Sequence, residues 1–357
     1  LFLRSFHVLS LFFCKDTSFP NHAPPSFSFD PIVSISSLDE ALEVVKTGGY
    51  IWLSYIHPTL EELSPLTEKM GIHPLSIEDC MNEGQIPKIE DFPGHTYILF
   101  NAFNYSKKKI IIEEVNFFIG ENFLITVNHH GPSGRVLMEN IEQLVKKSVV
   151  NTGQGPAFLM HIILDLIVDE KFIAVEAVED DLNNAEDMMM KDLVKFSLSD
   201  LQHLRRNLLT IRKSLFHERE IMLKICRKDC PYISEKAIFH YRDIYDHLAR
   251  FFELTETYRE VVTSLMEMNL SLLNNQMARS ANQTNATVRR LTFITTIFMP
   301  LTLLSGVGGM SEFSMMTGPE HWRIAYPIFM VGMALFGFLS FIWLKKMEKA
   351  GLEKEDK

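Results

Sequence analysis

The sequence predicts an α/β domain, then long stalk helices, then two C-terminal transmembrane helices. Three observations carry this: two uncharged apolar runs near the end, a long stretch before them free of helix breakers, and β-rich segments with tight turns in the first half. Leu291–Ser311 and Ile324–Leu344 each run 21 residues without a charge. A helix rising about 1.5 Å per residue needs about 20 residues to cross a bilayer core. Only residues 312–323 separate the two runs, so they form a helical hairpin over 291–344. Arg289 and Arg290 precede it, Lys345, Lys346 and Lys349 follow it, and Glu312 and Glu320 face the single Arg323 in the connection. That bias of Lys and Arg to the outer flanks predicts both termini in the cytoplasm, with 345–357 as a basic and then charged tail.

Residues 1–29 are expected to be a disordered N-terminal extension. The chain starts with Leu, Leu1–Cys14 is apolar apart from Arg4, serines and His7, and no clear small-residue cleavage site precedes Lys15 and Asp16. Asn21–Phe29 reads as a loop. Within the α/β domain, residues 30–150, Ile32–Ser36 and Tyr50–Ile56 read as strands. Ser37 or Asp39 can cap a helix through Val45, and a second helix covers Glu61–Met70. Thr96–Phe103, Ile110–Ile119 and Phe123–Val127 are β-rich, with Gly120–Asn122 as a tight turn.

After Gly155-Pro156 the chain turns helical, and residues 151–290 make a stalk domain. Ala157–Met190 has no Pro or Gly, Ser199–Arg227 is a second helix, and a very long helix runs from Ser234 into the first span. The acidic run Glu176, Glu179, Asp180, Asp181 and Glu186 reads as a solvated helix face. Leu254, Tyr258, Val261, Leu265, Met268 and Leu272 step by four and three, the seam of a coiled coil.

One stripe on the first span carries the functional signal. Asn285, Val288, Thr292, Thr295, Met299, Thr302, Gly306 and Gly309 recur at steps of three and four, with Leu291 beside them. Such a stripe of small and hydroxyl-bearing residues either packs on another helix or faces water in a pore. The polar residues just before it (Asn274, Asn275, Gln276, Asn282, Gln283) would form a hydrated layer beneath a pore, and they favour the second reading. Two helices enclose no lumen away from lipid, so a pore requires several copies around an axis.

Composition narrows the classes. A net charge of −10 argues against nucleic acid as a partner and fits a protein that gathers cations. Cys14, Cys80, Cys226 and Cys230 form no metal-ligand pattern and suit a reducing compartment. His129-His130 read as structural. No nucleophile–base constellation, P-loop or cofactor loop appears, so neither an enzyme nor an organic cofactor is expected.

Three segments resemble the CorA-type magnesium and divalent-cation transport proteins, over about residues 30–349. Phe298-Met299-Pro300-Leu301-Thr302, then Gly306 and Gly309-Met310, resemble the family's first span. Ile77-Glu78-Asp79-Cys80-Met81-Asn82, with Gln85, Pro87, Lys88 and Glu90, is similar to a head-domain segment, and Tyr241–His247 to the start of its stalk helix. The resemblance implies a funnel-shaped homopentamer in the cell (inner) membrane. It would admit hydrated Mg2+, or Co2+ and Ni2+, down the membrane potential. It also implies regulatory metal between Asp79 and Asp243 and a hydrophobic constriction at Val288, Leu291 and Met299; Glu312 and Glu320 read either as a cation-gathering mouth or as plain loop residues. The signature Gly-Met-Asn reads Gly309-Met310-Ser311 here. Ser keeps a donor and an acceptor but reaches less far, so the mouth ring is wider. A branch of the superfamily with altered signature residues handles zinc, so the resemblance also implies Zn2+ as an alternative cargo. Between Asp243 and Asn285 the chain is about seven residues longer than typical members, one heptad that a coiled coil absorbs.

Overall fold

Strands buried on both faces read as near-continuous apolar runs, and the sheet of this protein obeys that rule. In a computed structural model the chain is described at residues 11–13, 38–46, 49–128, 141, 154–191, 196–310, 318 and 321–355. Its elements are β1 (Leu11–Phe13), α1 (Leu38–Lys46), β2 (Tyr50–Ile56), α2 (Leu60–Met70) and α3 (Pro74–Met81). Then come β3 (Lys88–Phe92), β4 (His95–Ser106), β5 (Lys109–Ile119) and β6 (Phe123–Asn128). Among the described residues four helices follow: α4 (Pro156–Lys191), α5 (Leu198–Cys226), α6 (Glu235–Gly308) and α7 (Trp322–Glu355). The expected strand Ile32–Ser36, the cap at Ser37, the loop Asn21–Phe29 and His129-His130 lie outside the described residues. Leu11–Phe13, inside the extension expected to be disordered, pairs antiparallel with Tyr50–Trp52.

Among the described residues the sheet order is β1-β2-β6-β5-β4-β3, with β2 and β6 parallel and the other pairs antiparallel. Alternation along each strand serves two layers. Ile51, Leu53, Tyr97, Leu99, Phe118, Ile125 and Val127 meet Ala41 of α1, Leu63 and Leu66 of α2, and Ile77 and Cys80 of α3 in one core. Trp52, Phe100 and Phe117 point the other way and are equally buried, on the side where α4 and α5 lie across the sheet. Trp52 Nε1 donates to Thr126 Oγ1 at 3.0 Å, so the one polar atom of that ring is satisfied.

A fully buried ion pair ties these layers together. Lys171 of α4 and Glu218 of α5 are both completely buried, with Nζ 2.5 Å from Glu218 Oε2. Glu218 Oε1 also accepts from the Asn101 backbone N–H and from Ser214 Oγ, each at 3.1 Å. The Lys171 ammonium lies 3.9 Å from the Phe100 ring centroid and 4.9 Å from that of Phe103. Burial pulls the Lys171 pKa down to about 8, with Glu218 working the other way.

The acidic run of α4 is only partly a solvated face. Glu176, Asp180 and Glu186 are exposed as expected. Glu179, however, accepts from Tyr258 Oη and Asp181 from Tyr105 Oη, both at 2.5 Å. These carboxylates pin α4 to α6 and to β4, a pairing that needs tyrosines far away in sequence. The α6 seam also shifts. Phe251, Thr255, Tyr258, Val262 and Leu265 are buried, while Leu254 and Val261 sit half-buried at their shoulder. The reason is local: α4 and α5 occupy that track, with Phe172 stacked on Phe251 at 5.8 Å and the Arg219 guanidinium 4.8 Å over Phe252.

The chain forms two compact units, Leu1–Glu267 and Met268–Lys357. The first joins the α/β layers to helices expected to form a separate stalk. The second holds two helices long and apolar enough to cross a membrane, by the windows within Glu235–Gly308 and Arg323–Lys346.

Candidate functional site

In the second unit, the stripe lies on α6 and the α6–α7 packing decides which face is covered. Phe293, Ile297, Pro300 and Leu301 are half-buried, as are Ala325, Phe329, Met333 and Gly337 on α7. Two close approaches fix that interface. A Cβ on Gly308 would lie 2.7 Å from the Phe329 ring, and one on Gly337 would lie 3.4 Å from Leu301. The stripe is offset from this face by one residue, about 100° of rotation, and stays exposed: Asn285, Thr292, Thr295, Thr302 and Gly306 throughout, Val288 at 54%, Leu291 at 63% and Met299 at 68%. A Cβ on Gly306 would meet nothing within 4 Å. Gly309 and Met310 follow the last turn, with the Gly309 N–H still donating to Ser305 O at 3.0 Å. Ser311, Glu312 and Glu320 lie outside the described residues.

The hydroxyls have a fixed polarity. Thr292, Thr295 and Thr302 donate to the carbonyls of Val288, Leu291 and Phe298 at 2.9, 2.9 and 2.8 Å. Each proton is thereby spent on the helix backbone, and the oxygen presents lone pairs outward. The stripe is a column of acceptors, able to take the water protons of a hydrated cation.

In the first unit, α3 holds Asp79 by an uncommon cap. His73 Nδ1 accepts from the Leu75 N–H at 3.2 Å, and Pro74 opens the helix. Asp79 is half-buried beside Lys88, whose Nζ is 2.6 Å from Oδ2. Gln85 Nε2 donates to the Asp79 carbonyl at 2.6 Å. Partial burial works to lower the Lys88 pKa, but hydrogen bonds to Asp79 and Glu90 outweigh it and raise the value. Asp243, on α6, is 70% exposed with His247 Nε2 at 3.7 Å. It lines an open cleft of about 380 Å3 together with His161, Asp165, His240 and Asp246.

Burial lowers the His161 pKa to about 4, with His240 adding to it; burial also raises Asp165, followed by the charges of Asp169 and Asp243. Asp165, His161 and His240 were not singled out in the sequence, though His161–Asp165 and His240–Asp243–His247 fall at steps of four, three and four on single helix faces. Among the described residues of one chain, no three His, Cys, Asp or Glu side chains stand close enough to hold a metal ion. Asp79 and Asp243 each offer hard oxygen ligands of the kind Mg2+ takes.

The family described as CorA-like Mg2+ transporter protein matches residues 47–346. The cobalt/magnesium transport protein CorA of Thermotoga maritima is 29% identical over 303 residues, 84% of this chain and 83% of that protein. The protein of the same name from Methanocaldococcus jannaschii is 26% identical over 310 residues, 85% of this chain and 94% of that protein. The complete structure of the CorA magnesium transporter from Methanocaldococcus jannaschii aligns with a TM-score of 0.62 at 22% identity, over 94% of this chain and 98% of that one.

Proposed function

The chain belongs to the CorA-like Mg2+ transporter family, and from that premise we propose that it works as a homopentameric channel passing hydrated Mg2+ into the cytoplasm. The observation that carries this reading is the stripe. Its hairpin partner leaves it uncovered, and its hydroxyls face outward as acceptors. Mg2+ dehydrates reluctantly, so a pore does better to hold its water shell with neutral oxygens than to strip it. A ring of carboxylates would bind the ion too tightly to release it. The membrane potential supplies the drive, about 4.6 kcal/mol per 100 mV for a divalent ion. Val288, Leu291 and Met299 form the constriction that closes by dewetting. Both termini lie in the cytoplasm, Glu312 and Glu320 gather cations at the far mouth, and no organic cofactor takes part.

A second reading is favoured by one residue. Ser311 replaces the family's Asn, which suits Zn2+ or Co2+ as cargo. Purified protein in liposomes, with Mg2+, Zn2+ and Co2+ entry followed by ion-sensitive dyes, separates these readings from a non-conducting scaffold; no flux above empty liposomes leaves the scaffold. In that assay Ser311→Asn is expected to lower half-saturating Mg2+ about fivefold, the effect of one net hydrogen bond of about 1 kcal/mol to the ion's water shell. Unchanged Mg2+ entry counts against this account of the mouth.

Regulation follows from Asp79 and Asp243, one from each of two neighbouring copies. Bound Mg2+ bridges them and supports the closed ring; without it they repel. Asp79→Asn with Asp243→Asn is expected to raise the Mg2+ needed to protect the helices from proteolysis about tenfold, the effect of about 1.4 kcal/mol. Undiminished protection removes the role.

A further inference from the structure

The Asp79 carboxylate already has a cation. Lys88 Nζ lies 2.6 Å from Asp79 Oδ2 and 3.2 Å from Glu90 Oε1, so one ammonium is shared between two carboxylates. The arrangement is built by the fold. Asp79 sits on the last turn of α3, and the chain returns through Gln85, which is tied to the Asp79 carbonyl, to start β3 at Lys88. Lys88 and Glu90, two apart on β3, project from the same face. Tyr97, the cross-strand partner of Glu90, places its ring 5.7 Å from the ammonium. All three charged groups are partly exposed, with side-chain accessibilities of 27% for Lys88, 28% for Asp79 and 42% for Glu90. Water and ions therefore reach them, and the ammonium has room to move between its two partners.

We propose that Lys88 is a built-in competitor for the sensing carboxylate, displaced onto Glu90 when a divalent cation takes Asp79. The proposal rests on the reading of Asp79 as a sensing ligand. Lys88 holds Asp79 Oδ2 and Gln85 Nε2 lies 3.4 Å from Oδ1, so neither oxygen is free, and a divalent ion taking this carboxylate repels the ammonium beside it. Metal binding is thus an exchange of one cation for another, and the strength of the Lys88–Asp79 pair sets the metal concentration at which sensing occurs. Glu90 makes that exchange possible without stranding a charge.

The test is Mg2+-dependent protease protection of the full-length protein in detergent. Lys88→Met keeps the aliphatic stem over Tyr97 and removes the charge. It is expected to lower the half-protecting Mg2+ concentration about fivefold, the factor carried by an exposed ion pair at the upper end of its range. Lys88→Gln, which keeps a polar tip, is expected to shift the same way and guards against a packing defect. Glu90→Gln is expected to raise the half-protecting concentration in the wild-type background and to do so less in the Lys88→Met background. An equal shift in both backgrounds overturns the displacement onto Glu90. Asp79→Asn separates the two readings. If it weakens protection while both Lys88 variants behave as wild type, the competitor is overturned and the sensor stands; if it leaves protection unchanged, both fall.

Discussion

Replacing Thr295 and Thr302 together by valine is expected to cut Mg2+ entry into liposomes about tenfold or more. Valine matches threonine in shape, so the helix and its hairpin contact with α7 should survive. What disappears is the outward oxygen. Each hydroxyl proton is committed to a backbone carbonyl four residues back, so the threonine acts on its surroundings only as an acceptor. In a ring of copies every substitution removes one acceptor per copy. A net hydrogen bond is worth about 1 kcal/mol, and a tenfold change in rate needs about 1.4 kcal/mol. Thr295→Ser with Thr302→Ser restores the acceptors and should restore the flux. Equal flux in the valine and serine pairs would show that the stripe serves packing alone.

Glu218→Ala is expected to destabilise the first unit by about 3–5 kcal/mol, because it leaves a buried ammonium without its counter-charge. The Lys171 side chain is wholly buried, and the Phe100 and Phe103 rings are its remaining stabilising contacts with the charge. Removing the carboxylate also abandons the Asn101 N–H and the Ser214 hydroxyl. Lys171→Met paired with Glu218→Leu removes both charges and should recover much of the loss, since apolar replacements of a buried pair are often close to neutral. Urea unfolding of the full-length protein, followed by tryptophan fluorescence from Trp52 at the sheet core, reads the difference. A single-mutant loss below about 1 kcal/mol contradicts the buried-charge account.

Much of the architecture was legible because strong periodicities met clear boundaries. Tyr50–Ile56 appears as a strand with the bounds its β-branched and aromatic run suggested. The expected helices Ala157–Met190 and Ser199–Arg227 appear within one residue of those bounds and α6 begins one residue after Ser234, whereas α6 ends at Gly308, three residues before Ser311, and α7 continues past Leu344 to Glu355. Shorter and weaker signals were not legible. α3 has only 8 residues and is capped by His73, outside the usual Ser, Thr, Asp and Asn set. β3 reads Lys-Ile-Glu-Asp-Phe and lies at the sheet edge, so its charges mask the alternation. The stripe was visible because a helix writes its faces into sequence at fixed steps. The Lys88–Asp79 contact was not, because it depends on how a turn between a short helix and an edge strand folds back. Lys171 was invisible for a related reason: its partners come from two distant elements, Glu218 from α5 and Phe100 and Phe103 from β4.

Two glycines two residues apart, Gly306 and Gly308, obey different demands. A glycine inside a helix costs about 1 kcal/mol relative to alanine, so each needs a compensating reason. For Gly308 the reason is inside the chain, since any side chain would strike the Phe329 ring. For Gly306 the described residues supply none: an alanine methyl there would meet nothing within 4 Å. In the channel proposed above, the helix-weakening residue at 306 answers to a neighbouring copy. In the proposed assembly that position faces the axis, where an added ring of methyl groups would narrow the passage and cover carbonyl oxygens with apolar surface. On that proposal, its bareness belongs to the assembly rather than to the single chain.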